Sequence, residues 1–200
     1  MKKIDPKGSA LLIIDMQNDV VHPKGGWASA GSPAHAKQQN TVRHIKTIAE
    51  RARRRRLPVI HILHALTPGG RDAAQNAPLF RNLVKSGNNL SGSWGAEPFA
   101  ALKPKAGDFV IYKQRVSGFQ GTDLENKLKG LGATRLIVTG AWTNFAVEGT
   151  CRDGADLGYE VTLVSDATCT MNQEWQAVGV KYALTMLGEV ATTADVLKAL

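Results

Sequence analysis

Only two cysteines, Cys151 and Cys169, occur in the 200 residues of this chain. That is too few for a disulfide framework, and no CxxC or Cys/His spacing offers a zinc site, so neither a secreted staple fold nor a structural metal is expected. Long apolar runs are missing as well. The run 10–14 is cut by Asp15, and the N-terminal Lys2 and Lys3 therefore precede neither a signal-peptide core nor a membrane span. A cytoplasmic protein with no membrane partner is the expectation. Aromatic residues make up only 6% of the chain, and none interleaves with the arginines at 51 and 53–56. The net charge of +8 therefore does not point to a nucleic-acid partner, which would need stacking platforms beside the cations. Ile45, Ile48, Ala49 and Ala52 recur at helical spacing, which places those arginines at the C-terminal end and solvent face of a helix, where cations suit the dipole.

What is present is a full core. A hydrophobic content of 43% over 200 residues supports one domain, 1–200, with no composition shift, repeat or low-complexity linker to mark a second. Continuous apolar runs at 10–14, 59–63, 108–112, 136–139, 161–164 and, weakly, 189–191 read as strands. The stretches 41–56, 122–130, 144–157, 173–187 and 193–199 read as helices. Strands that are apolar throughout, separated by helical crossovers, imply a mainly parallel six-stranded sheet covered on both faces. The expected fold is a doubly wound α/β three-layer sandwich. The region 65–107, rich in Gly, Pro and Asn, shows little periodicity and reads as a long loop of functional or interface character.

Three strand ends carry the chemistry. Asp15 closes the first strand, Lys113 follows the third, and Ala146 stands where the fourth strand turns through Gly140-Ala141-Trp142-Thr143-Asn144 into a helix. In open α/β sheets ligands bind outside the carboxyl ends of the strands. Each residue alone has a plainer reading, Asp15 as a cap, Asp19 and Asp166 as turn formers, Lys113 as a solvated cation, Glu148 and Arg152 as a helix surface pair. Their convergence on one edge is the informative feature.

The segment Val138-Thr139-Gly140-Ala141-Trp142-Thr143-Asn144-Phe145-Ala146-Val147-Glu148-Gly149-Thr150 resembles the signature of the isochorismatase-like cysteine hydrolases. Further matches run through 113–119, 148–154 and 164–168, in the right order and over nearly the whole chain. The resemblance implies a catalytic triad at Asp15, Lys113 and position 146, where the family's nucleophilic Cys is here Ala146. It also implies an oxyanion hole from the backbone N–H groups of Trp142 and residue 146, and a cis peptide at Ala141-Trp142. With a thiol at 146, Asp15 would take its proton and return it to a departing amine, with no cofactor and no metal. Ureidoacrylate and related carbamoyl amidohydrolases are the most similar branch, so the implied substrate is a small molecule with a linear amide, ureido or hydrazide C–N bond. Thr143-Asn144 fits that branch, since Cys-free isochorismatases carry Ala-His there. The Asp-x-His metal motif of nicotinamidases has no match.

Ala146 has neither lone pair nor proton, and Cys151, about 140° further round the helix at about 100° per residue, is no substitute. Two readings follow. In one, favoured by the intact neighbours, a Cys→Ala replacement silences an amidohydrolase. In the other, the chain has no thiol by nature and either protonates a vinyl ether through Asp15 or only binds ligand. Asn18, Arg115 and Asn144 are candidates for the polar end of a substrate, and Trp94, Phe119, Trp142 and Trp175, with Trp27, for an aromatic wall. The family commonly forms homodimers or homotetramers, and the resemblance implies the same here.

Overall fold

The structure is a computed structural model describing residues 1–200. Six strands form one sheet: β1 (Ser9–Ile14), β2 (Val59–His64), β3 (Phe109–Lys113), β4 (Arg135–Ala141), β5 (Glu160–Cys169) and β6 (Glu189–Ala191). Their order is β3-β2-β1-β4-β5-β6, and every neighbouring pair is parallel. The physical reason lies in β1, all six residues of which are buried. Alternate side chains leave opposite faces of a strand. Leu11 and Ile13 pack with Ile45, Ile48, Ala49 and Ala52 of helix α3 (Thr41–Arg54), whereas Ala10, Leu12 and Ile14 pack with Leu124, Leu128 and Cys151 on the other side. Both faces are covered, so no polar residue interrupts the run. This is the doubly wound three-layer sandwich expected from the sequence.

Around the sheet lie α1 (Asn18–Val21), α2 (Ser32–Gln38), α3, α4 (Pro78–Ser86), α5 (Leu124–Gly130), α6 (Glu148–Asp156), α7 (Gln173–Val178) and α8 (Thr193–Ala199). Several bounds differ from expectation. Helices α2 and α4 occupy segments without strong periodicity, and α4 turns part of the supposed loop 65–107 into packed structure. The expected strand at 108–112 begins one residue later. Asp108 instead turns its carboxylate onto Arg53 and the Lys105 N–H, 2.7–3.0 Å away, and onto His61 at 3.1 Å. Strand β5 runs on to Cys169, past a register shift opposite Val138/Gly140. The expected helix 173–187 is not continuous. It widens into a π-helical turn at Gly179–Ala183 and tightens at Leu184–Met186, where Gly179 packs against Asn144. A similar wide turn, Thr143–Val147, leads into α6. No helix is long and apolar enough to cross a membrane.

The chain winds in one direction from β1 to β3 and in the other from β4 to β6. Beyond the carboxyl ends of β1 and β4 the connections diverge, which opens a crevice at the switch point.

Candidate active site

Asp15 leaves β1 with φ 51, a left-handed conformation rare for a residue with a side chain and costly by roughly 1–3 kcal/mol. The turn is fixed because the Asp15 N–H donates to the Ile62 carbonyl at 2.8 Å. It aims the carboxylate across the end of β2 at Lys113, whose Nζ donates to Asp15 Oδ2 at 2.8 Å and to the Arg115 carbonyl at 3.1 Å. Lys113 is 1% exposed. Such a buried cation needs its partner, and here it has one. Asp15 Oδ1 is buried with no partner in the protein. Burial pushes the Asp15 carboxyl above the usual range, and the Lys113 charge and hydrogen bond only partly offset it.

The Ala141–Trp142 peptide bond is cis, as the resemblance implies. The Trp142 indole N–H donates to Ser32 Oγ at 2.7 Å, and Ser32 Oγ donates in turn to the Val20 carbonyl at 2.7 Å. The unforeseen helix α2 thus locks the ring. Trp27 meets Trp142 edge-on at 4.9 Å, a favourable aromatic geometry.

These groups enclose a cavity of about 60 Å³. Asp15, Lys113 and Ala146 all line it, together with Trp142, Trp27 and Arg115. Other liners escaped the sequence reading, among them His64 at the end of β2, Asn89, Phe145, and Phe80 and Leu83 of α4. The Pro78 at the first turn and Gly87 in the left-handed region were the sequence signals for α4. His64 and Asn89 had no local signal. The arginine side chain of Arg115 is anchored through Nη1 to the Asp72 and Gln114 carbonyls, both at 3.1 Å.

Other candidate residues lie elsewhere. Asn18 is buried beside the crevice, its amide donating to the Trp94 carbonyl at 2.8 Å. Phe119 is packed in the core against Tyr159. Asn144 Oδ1 accepts the Thr170 hydroxyl at 2.6 Å. Trp94 and Trp175 are 49% and 42% exposed, outside the cavity lining. Cys151 and Cys169 are buried in the two cores, and burial pushes both thiols up to about 12. Neither can supply a thiolate at neutral pH.

The switch point of this doubly wound α/β sandwich thus carries a crevice with a buried acid–lysine pair and an aromatic wall, at the place where open α/β sheets bind ligands. The chain belongs to the isochorismatase family of hydrolases, because the Isochorismatase domain matches residues 9–195. Among its relatives, ureidoacrylate amidohydrolase RutB of Caulobacter segnis is 32% identical over 205 residues, covering 96% of this chain and 85% of that protein. A cysteine hydrolase from Pseudomonas syringae superposes with a TM-score of 0.88 at 27% identity, over 100% of this chain and 95% of the other. N-carbamoylsarcosine amidase from Thermoplasma acidophilum superposes with a TM-score of 0.74 at 25% identity, over 96% and 97%.

Proposed function

We propose that this crevice is the active site of an amidohydrolase for a linear C–N bond, with alanine at the position of the nucleophile. The observation that carries the reading is the Lys113–Asp15 pair at 2.8 Å, in a cavity that Ala146 also lines. The amidohydrolase names of the relatives support it. A thiol at 146 would stand at the entry to α6 beside a buried ammonium, conditions that favour thiolate. Asp15 would take the thiol proton while sulfur adds to the substrate carbonyl. Its raised pKa suits it to hold that proton and pass it to the leaving nitrogen as the C–N bond breaks. Water then cleaves the thioester and releases the acid. With Ala146 the same site binds the substrate and stops there.

A second reading rests on one observation. Burial keeps the Asp15 carboxyl prone to protonation, and a protonated carboxyl without a neighbouring thiol is equipped to act as an acid on a vinyl ether. Release of ammonia from a panel of primary amides and ureido acids, and of hydrazine from hydrazides, measured for the protein and for Ala146→Cys, separates the two. Turnover by Ala146→Cys alone, abolished again by Asp15→Asn, supports the amidohydrolase reading. An inert Ala146→Cys beside vinyl ether cleavage by the unaltered protein overturns it.

A further inference from the structure

The cavity holds two polar side chains that the proposed chemistry does not use. His64 is 7% exposed, and neither ring nitrogen has a partner in the protein. Asn89 is 2% exposed, and its Nδ2 is likewise unpartnered. Buried polar groups are nearly always hydrogen-bonded, and orphans gathered in one cavity are the mark of a ligand site. Both are fixed in place. His64 is the register partner of Lys113 on the adjoining strand, so the two side chains leave the same face of the sheet. The Asn89 N–H donates to Asp19 Oδ2 at 2.7 Å, while Asp19 Oδ1 accepts from the Gly26 N–H at 3.0 Å. One carboxylate thereby ties the Asn89 turn to the loop that carries Trp27.

The charges around these orphans are uneven. Lys113 and Arg115 line the cavity against the single carboxylate of Asp15. Asp72, which also acts on His64, lies outside, its oxygens taken up by the Thr67 N–H and hydroxyl at 2.9–3.1 Å. Burial, the largest effect, and the Lys113 charge lower His64 to about 3, so at neutral pH the ring offers one N–H and one lone pair. The free donors are the imidazole N–H and the Asn89 amide N–H groups, set in a positive field. The remaining walls, Val20, Leu83, Phe80 and Phe145, are apolar and suit a short hydrocarbon spacer.

We propose that His64 and Asn89, with Arg115, form the recognition subsite for an anionic far end of the substrate, so that the site takes a short ureido or amido acid whose carboxylate accepts from these donors. This rests on the amidohydrolase reading for what happens at the other end of the molecule, but not for binding itself.

The test uses N-carbamoyl-β-alanine and its uncharged methyl ester, titrated calorimetrically into the unaltered protein. The acid is expected to bind about tenfold or more tightly than the ester, the scale of one charge-assisted hydrogen bond. His64→Phe and Asn89→Ala should each erase most of that ratio by weakening the acid alone, and His64→Gln, which keeps an N–H, should restore much of it. A purely structural role would lower both affinities together. Equal binding of acid and ester by the unaltered protein overturns the proposal without any variant. So does retention of the ratio in both folded variants, and so does failure of the acid to bind. Ala146→Cys keeps the two claims apart. Ammonia release from acid and ester at equal kcat/KM removes the subsite and leaves the amidohydrolase. Acid binding that depends on His64, with no turnover by Ala146→Cys, leaves the subsite and removes the amidohydrolase.

Discussion

The side-chain amide of Gln17 closes both backbone hydrogen bonds of His64: Oε1 accepts from the His64 N–H at 2.9 Å and Nε2 donates to the His64 carbonyl at 2.8 Å. The same Nε2 donates to the Ala96 carbonyl at 2.7 Å. Gln17 is fully buried. It stands in for the strand residue that β1 no longer provides once Asp15 has turned the chain away. One amide therefore holds the end of β2, and with it the His64 ring, against the segment Trp94–Ala96.

Gln17→Leu keeps the volume but strands one N–H and two carbonyls in the interior. Each unpaired group costs about 1–3 kcal/mol, partly relieved by local movement, so a net loss of about 2–4 kcal/mol is expected in urea unfolding. A change below about 0.5 kcal/mol, the range of an ordinary surface substitution, would show that this amide is not what fixes the end of β2.

His64 also sets a pH dependence of stability. Its folded pKa is lowered from 6.5 to about 3 by burial first and by the Lys113 charge second. Between those values the unfolded chain binds a proton that the folded protein does not. The contribution is thus complete above pH 6.5 and is lost as pH falls towards 3, at up to about 1.4 kcal/mol per pH unit. His64→Gln removes the titrating group, so its unfolding free energy should fall less steeply than that of the unaltered protein between pH 6 and pH 4, the interval inside that window. Parallel curves for the two proteins would contradict the assignment.

Thiol chemistry gives a third expectation. With both cysteines buried and their thiols raised to about 12, the folded protein should take up no iodoacetamide at neutral pH. Ala146→Cys should take up one equivalent quickly by intact mass, because its thiol would open on the cavity beside Lys113. Lys113→Met in that background should slow alkylation by removing the cation that favours thiolate. Equal rates with and without Lys113 would show that the ammonium does not activate position 146.

The sequence made the sandwich legible because strands covered on both faces leave continuous apolar runs, and Asp15, Lys113 and Ala146 legible because each follows such a run. His64 and Asn89 were not. The place of His64 depends on its register with Lys113, 49 positions away in the β2–β3 pairing, and that of Asn89 on an aspartate 70 positions earlier. Neither relationship leaves a local pattern. Aromatic residues were equally mute about location. Trp27 and Trp142 meet at the cavity while Trp94 and Trp175 face solvent, and the anchor of the Trp142 ring, Ser32, lies in α2, whose short Ser-Pro-Ala-His start shows no clear helical period. Pro78 and Gly87 did punctuate α4, yet only the fold shows that its Phe80 and Leu83 close the crevice.

Gly140 links fold and site most tightly. It sits at φ 118 opposite Ile14, and a Cβ there would lie 2.1 Å from the Ile14 carbonyl oxygen. That atom is backbone in the central strand, one residue before Asp15, and has no room to withdraw. Gly140→Ala therefore combines a forbidden conformation with a backbone collision, and a loss of about 3 kcal/mol or more in unfolding free energy is expected. Relief can come only by separating the ends of β1 and β4, which would carry Asp15 away from Trp142 and Ala146 across the crevice. Any folded Gly140→Ala should accordingly show weakened ligand binding in the crevice as well as lower stability. A Gly140→Ala protein with unchanged urea midpoint would mean that β4 does not approach β1 this closely.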